Sequence, residues 1–278
     1  MKQKAAKMCL KTSINDSEVL KYYLEEKGKN HNCYKTYSTL ERIESWKKSN
    51  CFYLDDGSRW NDPSDRDMFN NDNIDVKRFG RCFSFSRNES VAMWMLYGGM
   101  TKSGVMLEFK GSAMRELIKK TKSVEFGNWK NGKFEPVLTL NEGQYLLELK
   151  DILYRDKRKS GRFYIRRSDE VCKTAPGFTI RKLDHCVKAA AWSYENECRL
   201  VLSVDKRQFP EILNTSSARI HLHDMLKNTG KESKDTDKVR IYCSPNFFAD
   251  DKPYLESNIK DDIDWDLCAG CKKTSVDT

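Results

Sequence analysis

Three stretches of this 278-residue chain gather side chains able to do chemistry. The first is Trp192-Ser-Tyr-Glu195-Asn-Glu197-Cys-Arg199-Leu-Val-Leu-Ser-Val204. If a strand begins by Tyr194, alternation puts Glu195, Glu197 and Arg199 on one face. Asn196, Cys198, Leu200 and Leu202 then turn toward the core. Two carboxylates and a guanidinium on one face form a charge-rich arrangement. The same pattern fits a surface strand whose ion pairs contribute little. In a chain with 33% charged residues, Glu-x-Glu alone proves nothing. The second stretch is Phe83-Ser84-Phe85-Ser86, where the serines alternate away from the core beside an expected helix start. A helix N-terminus favours anionic groups. Ser86 also reads as a plain N-cap, since Ser86-Arg-Asn-Glu89 is a capping box. The third is Met93-Trp94-Met95-Leu96-Tyr97. Trp94 and Tyr97 lie one helical turn apart and could stack on a base or nicotinamide ring, although such clusters are more often core.

Other candidates are weaker. Glu195 and Glu197, with Asp55, Asp62 and Asp65, offer oxygen ligands for a hard cation, as in a metal-dependent nuclease. Loop acids are usually solvated, so this reading ranks last. Four histidines stand at 31, 185, 221 and 223. His221 and His223 are expected on one strand face, but no partner at a diagnostic spacing makes any histidine catalytic. Ten cysteines are scattered and read as small buried hydrophobes. Cys268-Ala-Gly-Cys271 is the exception, and a single CxxC without a second pair favours no metal. No P-loop, GxGxxG, GxSxG or HExxH is present.

The positioning elements follow from periodicity and punctuation. Helices are expected from Asp16 or Ser17 to Lys27, from the Ser38-Thr-Leu-Glu41 capping box to Asn50, over 86–97, from Gly111 to Thr121, over 142–157 and over 179–192. Strands are expected at 33–37, 51–54, 81–86, 104–109, 123–126, 197–204 and 239–243. Residues 55–75 read as turn-rich around Trp60-Asn-Asp-Pro63, and 225–238 as a loop. Without a strict strand–helix rhythm, the fold class is α+β. Aromatics at 11% argue for a folded protein. The net charge of +9 favours acidic partners. Arg155–Arg167 carries seven basic residues and one acid, with Phe163 and Tyr164 interleaved as a possible nucleic-acid contact. Asp250–Asp266 carries seven acids. No apolar run spans a membrane and no signal peptide is read at the start, so a cytoplasmic protein with no membrane partner is expected. The domain reading is a leader and helix over 1–30, one α+β domain over 31–245 and an acidic tail over 246–278.

Taken in order, Cys33-Tyr-Lys-Thr-Tyr-Ser-Thr-Leu-Glu41, Trp60-Asn-Asp-Pro63, Phe83-Ser-Phe-Ser86, Met93-Trp94 with Tyr97, Gly104-Val-Met-Leu-Glu-Phe109 and Trp192-Ser-Tyr-Glu-Asn-Glu-Cys-Arg199 resemble the bacterial domain of unknown function twenty-nine seventy-one. The resemblance covers roughly 33–245 and carries no settled activity. Tyr34-Lys35-Thr36-Tyr37 has one residue more than the family's usual aromatic–basic–aromatic arrangement.

A more distant likeness is to ADP-ribosyltransferase folds. It implies a split β-sheet core, flanked by helices, that grips NAD as substrate with no metal. It implies Glu197 beside the ribose, Glu195 orienting or deprotonating the acceptor, and Ser84 positioning Glu197. It further implies Lys35 on the pyrophosphate and Tyr37 with Trp94 on the nicotinamide, with Ser86, Tyr97 and Arg199 also lining the dinucleotide site. The leading expectation is thus an NAD-consuming enzyme, a toxin or antiphage effector, with a protein or nucleic-acid acceptor. The rival is a non-catalytic nucleic-acid or nucleotide sensor.

Overall fold

The structure, a computed structural model, describes residues 17–71, 75–87, 89–98, 104–155, 162–164, 171–173, 183–226 and 238–244. In chain order the elements begin α1 (Ser17–Lys29), β1 (Cys33–Thr39), α2 (Leu40–Ser49), β2 (Cys51–Asp55), α3 (Pro63–Asn71), β3 (Val76–Ser84), β4 (Gly104–Lys110) and α4 (Gly111–Lys120). They continue with β5 (Ser123–Lys130), β6 (Lys133–Asn141), β7 (Leu146–Asp151), β8 (Leu153–Arg155), β9 (Arg162–Tyr164), β10 (Val171–Lys173), β11 (Val187–Ala189), β12 (Glu197–Asp205), β13 (Ser217–His221) and β14 (Val239–Cys243). This is an α+β fold with mostly antiparallel strands. Among the described residues no helix is long and apolar enough to cross a membrane.

The chain groups into two compact units. Among the described residues, the first draws on 17–31, Tyr53–Ser84 and Thr121–Ile220. Its strands run in the order β7-β12-β3-β2-β13-β5-β6. β12 lies antiparallel to both neighbours, with Glu197 opposite Ser84 on β3 and Cys198 opposite Asp151 on β7. Residues Glu197–Leu202 are all buried, so both faces of β12 are covered. A small sheet, β10-β9-β8-β11, pairs β11 parallel to β8. Over it α1 lays Leu20, Tyr23 and Leu24 against Ile152, Leu153, Tyr154, Leu183, Cys186 and Val187. Gly28, in the last turn of α1, allows the closest approach. A Cβ there would stand 2.5 Å from the Leu149 carbonyl oxygen.

Among the described residues, the second unit draws on Asn32–Phe52, Phe85–Lys120 and 221–244. β4 lies at the centre of β14-β4-β1, antiparallel to both. Phe52 bridges Trp46 and Phe109, with ring centroids 4.9 and 5.9 Å apart. The apolar stripe of α4 (Ala113, Met114, Leu117) is buried.

Several expectations are corrected. Within the helix expected over 142–157, Leu146–Asp151 and Leu153–Arg155 instead form β7 and β8, and 156–157 lie outside the described residues. Tyr145, Leu146, Leu149 and Leu153 imitate helical spacing, but pairing with distant β12 decides the outcome. The region expected as a helix to Trp192 holds a 3₁₀ turn (Asp184–Cys186), β11 and a second 3₁₀ turn (Ala190–Glu195). Its beginning, 179–182, lies outside the described residues. The helix expected from Ser86 starts at Val91, because Ser90 caps it by accepting from the Met93 N–H at 3.4 Å. It loosens to a π-type turn over Trp94–Gly98. Turn-rich 55–75 contains α3, with Pro63 at its first position and Asp62 accepting from the Ser64 N–H at 3.0 Å. At α2, Thr39 rather than Ser38 is the N-cap, and its side chain makes no cap bond. His221 ends β13, and His223 lies beyond it at φ 50°, so the two do not share a strand face. The strand expected at 123–126 is a full hairpin, β5–β6, turned by Asn131 and Gly132 at φ 50° and 74°. That Asn-Gly pair suits a type I′ turn.

Candidate functional site

Of the charged residues singled out in the sequence, Asp65, Glu195, Glu197 and Arg199 converge within the first unit. Glu195 does not stand on β12, as expected, but closes the preceding 3₁₀ turn. Asn196 follows in the left-handed region, at φ 45° and ψ 58°, and Glu197 opens the strand. Asn tolerates that conformation better than most residues. The turn brings both glutamates to one ammonium. Lys188 Nζ on β11 donates to Glu195 Oε2 at 2.5 Å and to Glu197 Oε2 at 3.1 Å. On β12, Arg199 Nε donates to Glu197 Oε1 at 2.5 Å, and Nη2 donates to Asp65 Oδ2 at 2.5 Å. Its Nη1 reaches the His185 carbonyl oxygen at 3.0 Å. All five side chains are buried, and Arg199 is completely so.

Aromatic rings flank both cations. The Trp60 ring lies 4.6 Å from Arg199 Cζ, and the Trp192 ring 5.0 Å from Lys188 Nζ. Gly80 on β3 makes room for the first contact. A Cβ there would meet Phe69 at 2.7 Å and Trp60 at 3.2 Å. The Tyr154 hydroxyl accepts from the Glu197 backbone N–H at 2.8 Å. Ser84, buried on β3, faces Glu197 directly, and Cys82 faces Arg199.

The electrostatics separate the carboxyls. Burial pushes Glu197 up, but Arg199 and Lys188 beside it, with hydrogen bonds from Arg199 and Cys82, outweigh burial and hold it well below the usual carboxylate range. Asp65 goes the other way. Its burial outweighs the attraction of Arg199, so its carboxyl is pushed up. Asp65 Oδ1 is buried without a hydrogen-bond partner. Burial opposes the charge on Lys188, but Glu197 and Glu195 more than compensate and raise it. Three carboxylates facing two cations leave one excess negative charge. Asp65 is therefore the group best suited to carry a proton.

Asp65, Glu195 and Glu197 were the oxygen ligands considered for a hard cation, and they do converge. Lys188 Nζ, 3.7 Å from Asp65 Oδ2, already sits among them. Asp55 and Asp62 serve elsewhere, Asp55 accepting from Arg59 at 2.8 Å and Asp62 at the start of α3. Lys188 was not singled out from the sequence, because it lies in the misread 179–192 segment. Asp65 was legible in principle, since Asp62-Pro63-Ser64-Asp65 has the form of a helix start.

The remaining predicted residues belong to the second unit. Tyr37 and Trp94 meet edge to face, with centroids 4.9 Å apart, and both are buried. Trp94 Nε1 donates to Glu89 Oε2 at 3.1 Å. Lys35 is buried, donating to the Arg87 carbonyl oxygen at 3.2 Å and standing 3.6 Å from Glu108. Ser86 and Tyr97 are half-buried. The Tyr37 and Trp94 rings spend their contacts on core packing. The CxxC pair and most of the basic 155–167 run lie outside the described residues.

No curated protein and no solved structure matches this chain. Nothing in these comparisons supports the distant likeness to ADP-ribosyltransferases. A family model does match residues 93–200, a stretch that holds Lys188, Glu195, Glu197 and Arg199 but not Asp65 or Ser84. That family, which this central part of the chain resembles, is described as "Protein of unknown function (DUF2971)".

Proposed function

We propose that the protein cleaves the ribose–nicotinamide bond of NAD and transfers ADP-ribose to an acceptor or to water. The observation that carries this reading is a buried Glu197, paired with Arg199 and Lys188, with Glu195 beside it and Ser84 directly opposite. In that reaction the electron pair of the glycosidic bond leaves with nicotinamide, and the ribose gains oxocarbenium character. A carboxylate fixed in a water-poor setting stabilises such a cation strongly. The Lys188 ammonium, held at 2.5 and 3.1 Å by the two glutamates, marks where positive charge is best accommodated. Substrate entry displaces Lys188 from that point. Glu197 then faces the sugar, and Glu195 orients or deprotonates the acceptor. A toxin or antiphage role and a protein or nucleic-acid acceptor belong to the same proposal.

The test is nicotinamide release from NAD by the full-length chain, with and without protein and RNA acceptors. Release that disappears in Glu197→Gln is the expected result. No release from the folded wild type in any of these mixtures ends the proposal.

A further inference from the structure

β12 carries a second polar cluster on its other face. Cys198 points away from Glu197 and Arg199, and lies opposite Asp151 on β7. Asp151 Oδ1 and His31 Nε2 share a hydrogen bond of 2.5 Å. The Cys198 thiol interacts with Asp151 and approaches the Gly28 carbonyl oxygen at 3.7 Å. Imidazole nitrogen, carboxylate oxygen and sulfur lie within 4.8 Å of one another, and all three residues are buried. They come from the α1–β1 connection, the end of β7 and the start of β12, so only the folded chain assembles them.

We propose that His31, Asp151 and Cys198 form a structural zinc site, with the Gly28 carbonyl oxygen placed as a fourth donor. Zinc accepts this mixture of nitrogen, oxygen and sulfur, at about 2.0–2.3 Å from each ligand atom. Charge supports the choice. One thiolate and one carboxylate cancel a dication, which suits a site cut off from water. On binding, the Cys198 thiol proton leaves to solvent and the neutral His31 imidazole carries its one proton on Nδ1, leaving Nε2 free to ligate, so apparent affinity rises with pH. Because the site is enclosed, uptake accompanies folding. The three positions are too far apart in sequence to form a ligand motif, and cysteine spacing alone favours no metal. This inference is independent of the reaction proposed above.

The test is to refold the full-length chain with stoichiometric Zn²⁺ or Co²⁺ under reducing conditions, then desalt it. About one equivalent should stay bound. The Co²⁺ form should show a sulfur-to-metal charge-transfer band. X-ray absorption of the zinc form should give one sulfur and two or three nitrogen or oxygen neighbours. His31→Gln and Cys198→Ser should each lose the bound metal, whereas the double variant Cys268→Ser/Cys271→Ser should keep it. No retained metal in the wild type overturns the proposal. So does retention by Cys198→Ser, or loss only in the Cys268/Cys271 variant. If the site variants fail to fold, absorption on the wild type decides, and a shell with two or more sulfurs overturns it.

Discussion

Ser84 and Glu197 stand directly opposite each other in the β3–β12 ladder, so their side chains share one side of the sheet. This juxtaposition joins residues more than a hundred positions apart, and the proposed reaction depends on it. Replacing Glu197 by Gln keeps its shape and removes its charge. NAD cleavage should fall by about 10²–10³-fold, the scale of one lost electrostatic stabiliser. Ser84→Ala leaves the Arg199 and Lys188 pairs intact and should cost less. Nicotinamide release measured on both variants checks the order.

Arg199 joins two carboxylates, a carbonyl and an aromatic face. Arg199→Met strands Asp65 and Glu197 in the interior, and should lower stability by about 3–5 kcal/mol. Arg199→Lys should recover little of that. One ammonium cannot reproduce three directed N–H groups or lie flat on Trp60. Urea midpoints of the three proteins would settle this, and full recovery by lysine would show that charge alone matters.

The two shifted carboxyls make opposite predictions with pH. Glu197 is depressed in the fold, so its stabilisation is present above its ordinary value of 4.5 and is lost as pH falls. Asp65 is raised, so its contribution is full below its ordinary value of 3.8 and fades as pH rises through the folded value. Glu197→Gln should therefore flatten the acid limb of the stability profile. Asp65→Asn should steepen the gain as pH rises above 3.8. Chemical denaturation across that range provides the readout.

Gly28→Ala should destabilise by about 1–3 kcal/mol, the usual range for forced overpacking. The added methyl meets backbone at 2.5 Å, which cannot rotate away. Gly132→Ala makes a useful contrast. A Cβ there has nothing within 4 Å, but φ is +74°, so only backbone strain of about 1–2 kcal/mol is expected. Thermal unfolding of both variants separates packing from strain.

Much of the site was legible where the pattern is local. Alternation in Glu197–Val204 identified β12 and put Glu197 and Arg199 on one face. What local pattern could not show was the partners. Lys188 reaches Glu195 and Glu197 only because β11 pairs with β8, a contact between segments that read as helices. β7 was hidden for a related reason. Its leucines fall at helical intervals, but ladder bonds to β12 are worth more to the chain than its intrinsic preference. The Asn131-Gly132 turn was a strong hairpin signal that the short 123–126 reading passed over. Burial of the acids was least legible, because a heavily charged composition suggests solvated faces, whereas Asp65, Glu195 and Glu197 are 2–3% exposed.

β12 holds a carboxylate–guanidinium group on one side and a thiol on the other. A slip of one residue against either neighbour would exchange those occupants, sending sulfur toward Lys188 and acid toward His31. Misaligned chains would thus suffer two simultaneous mismatches. Alignment of this strand is proofread from above and below, and intermediates with the wrong pairing have little to hold them together.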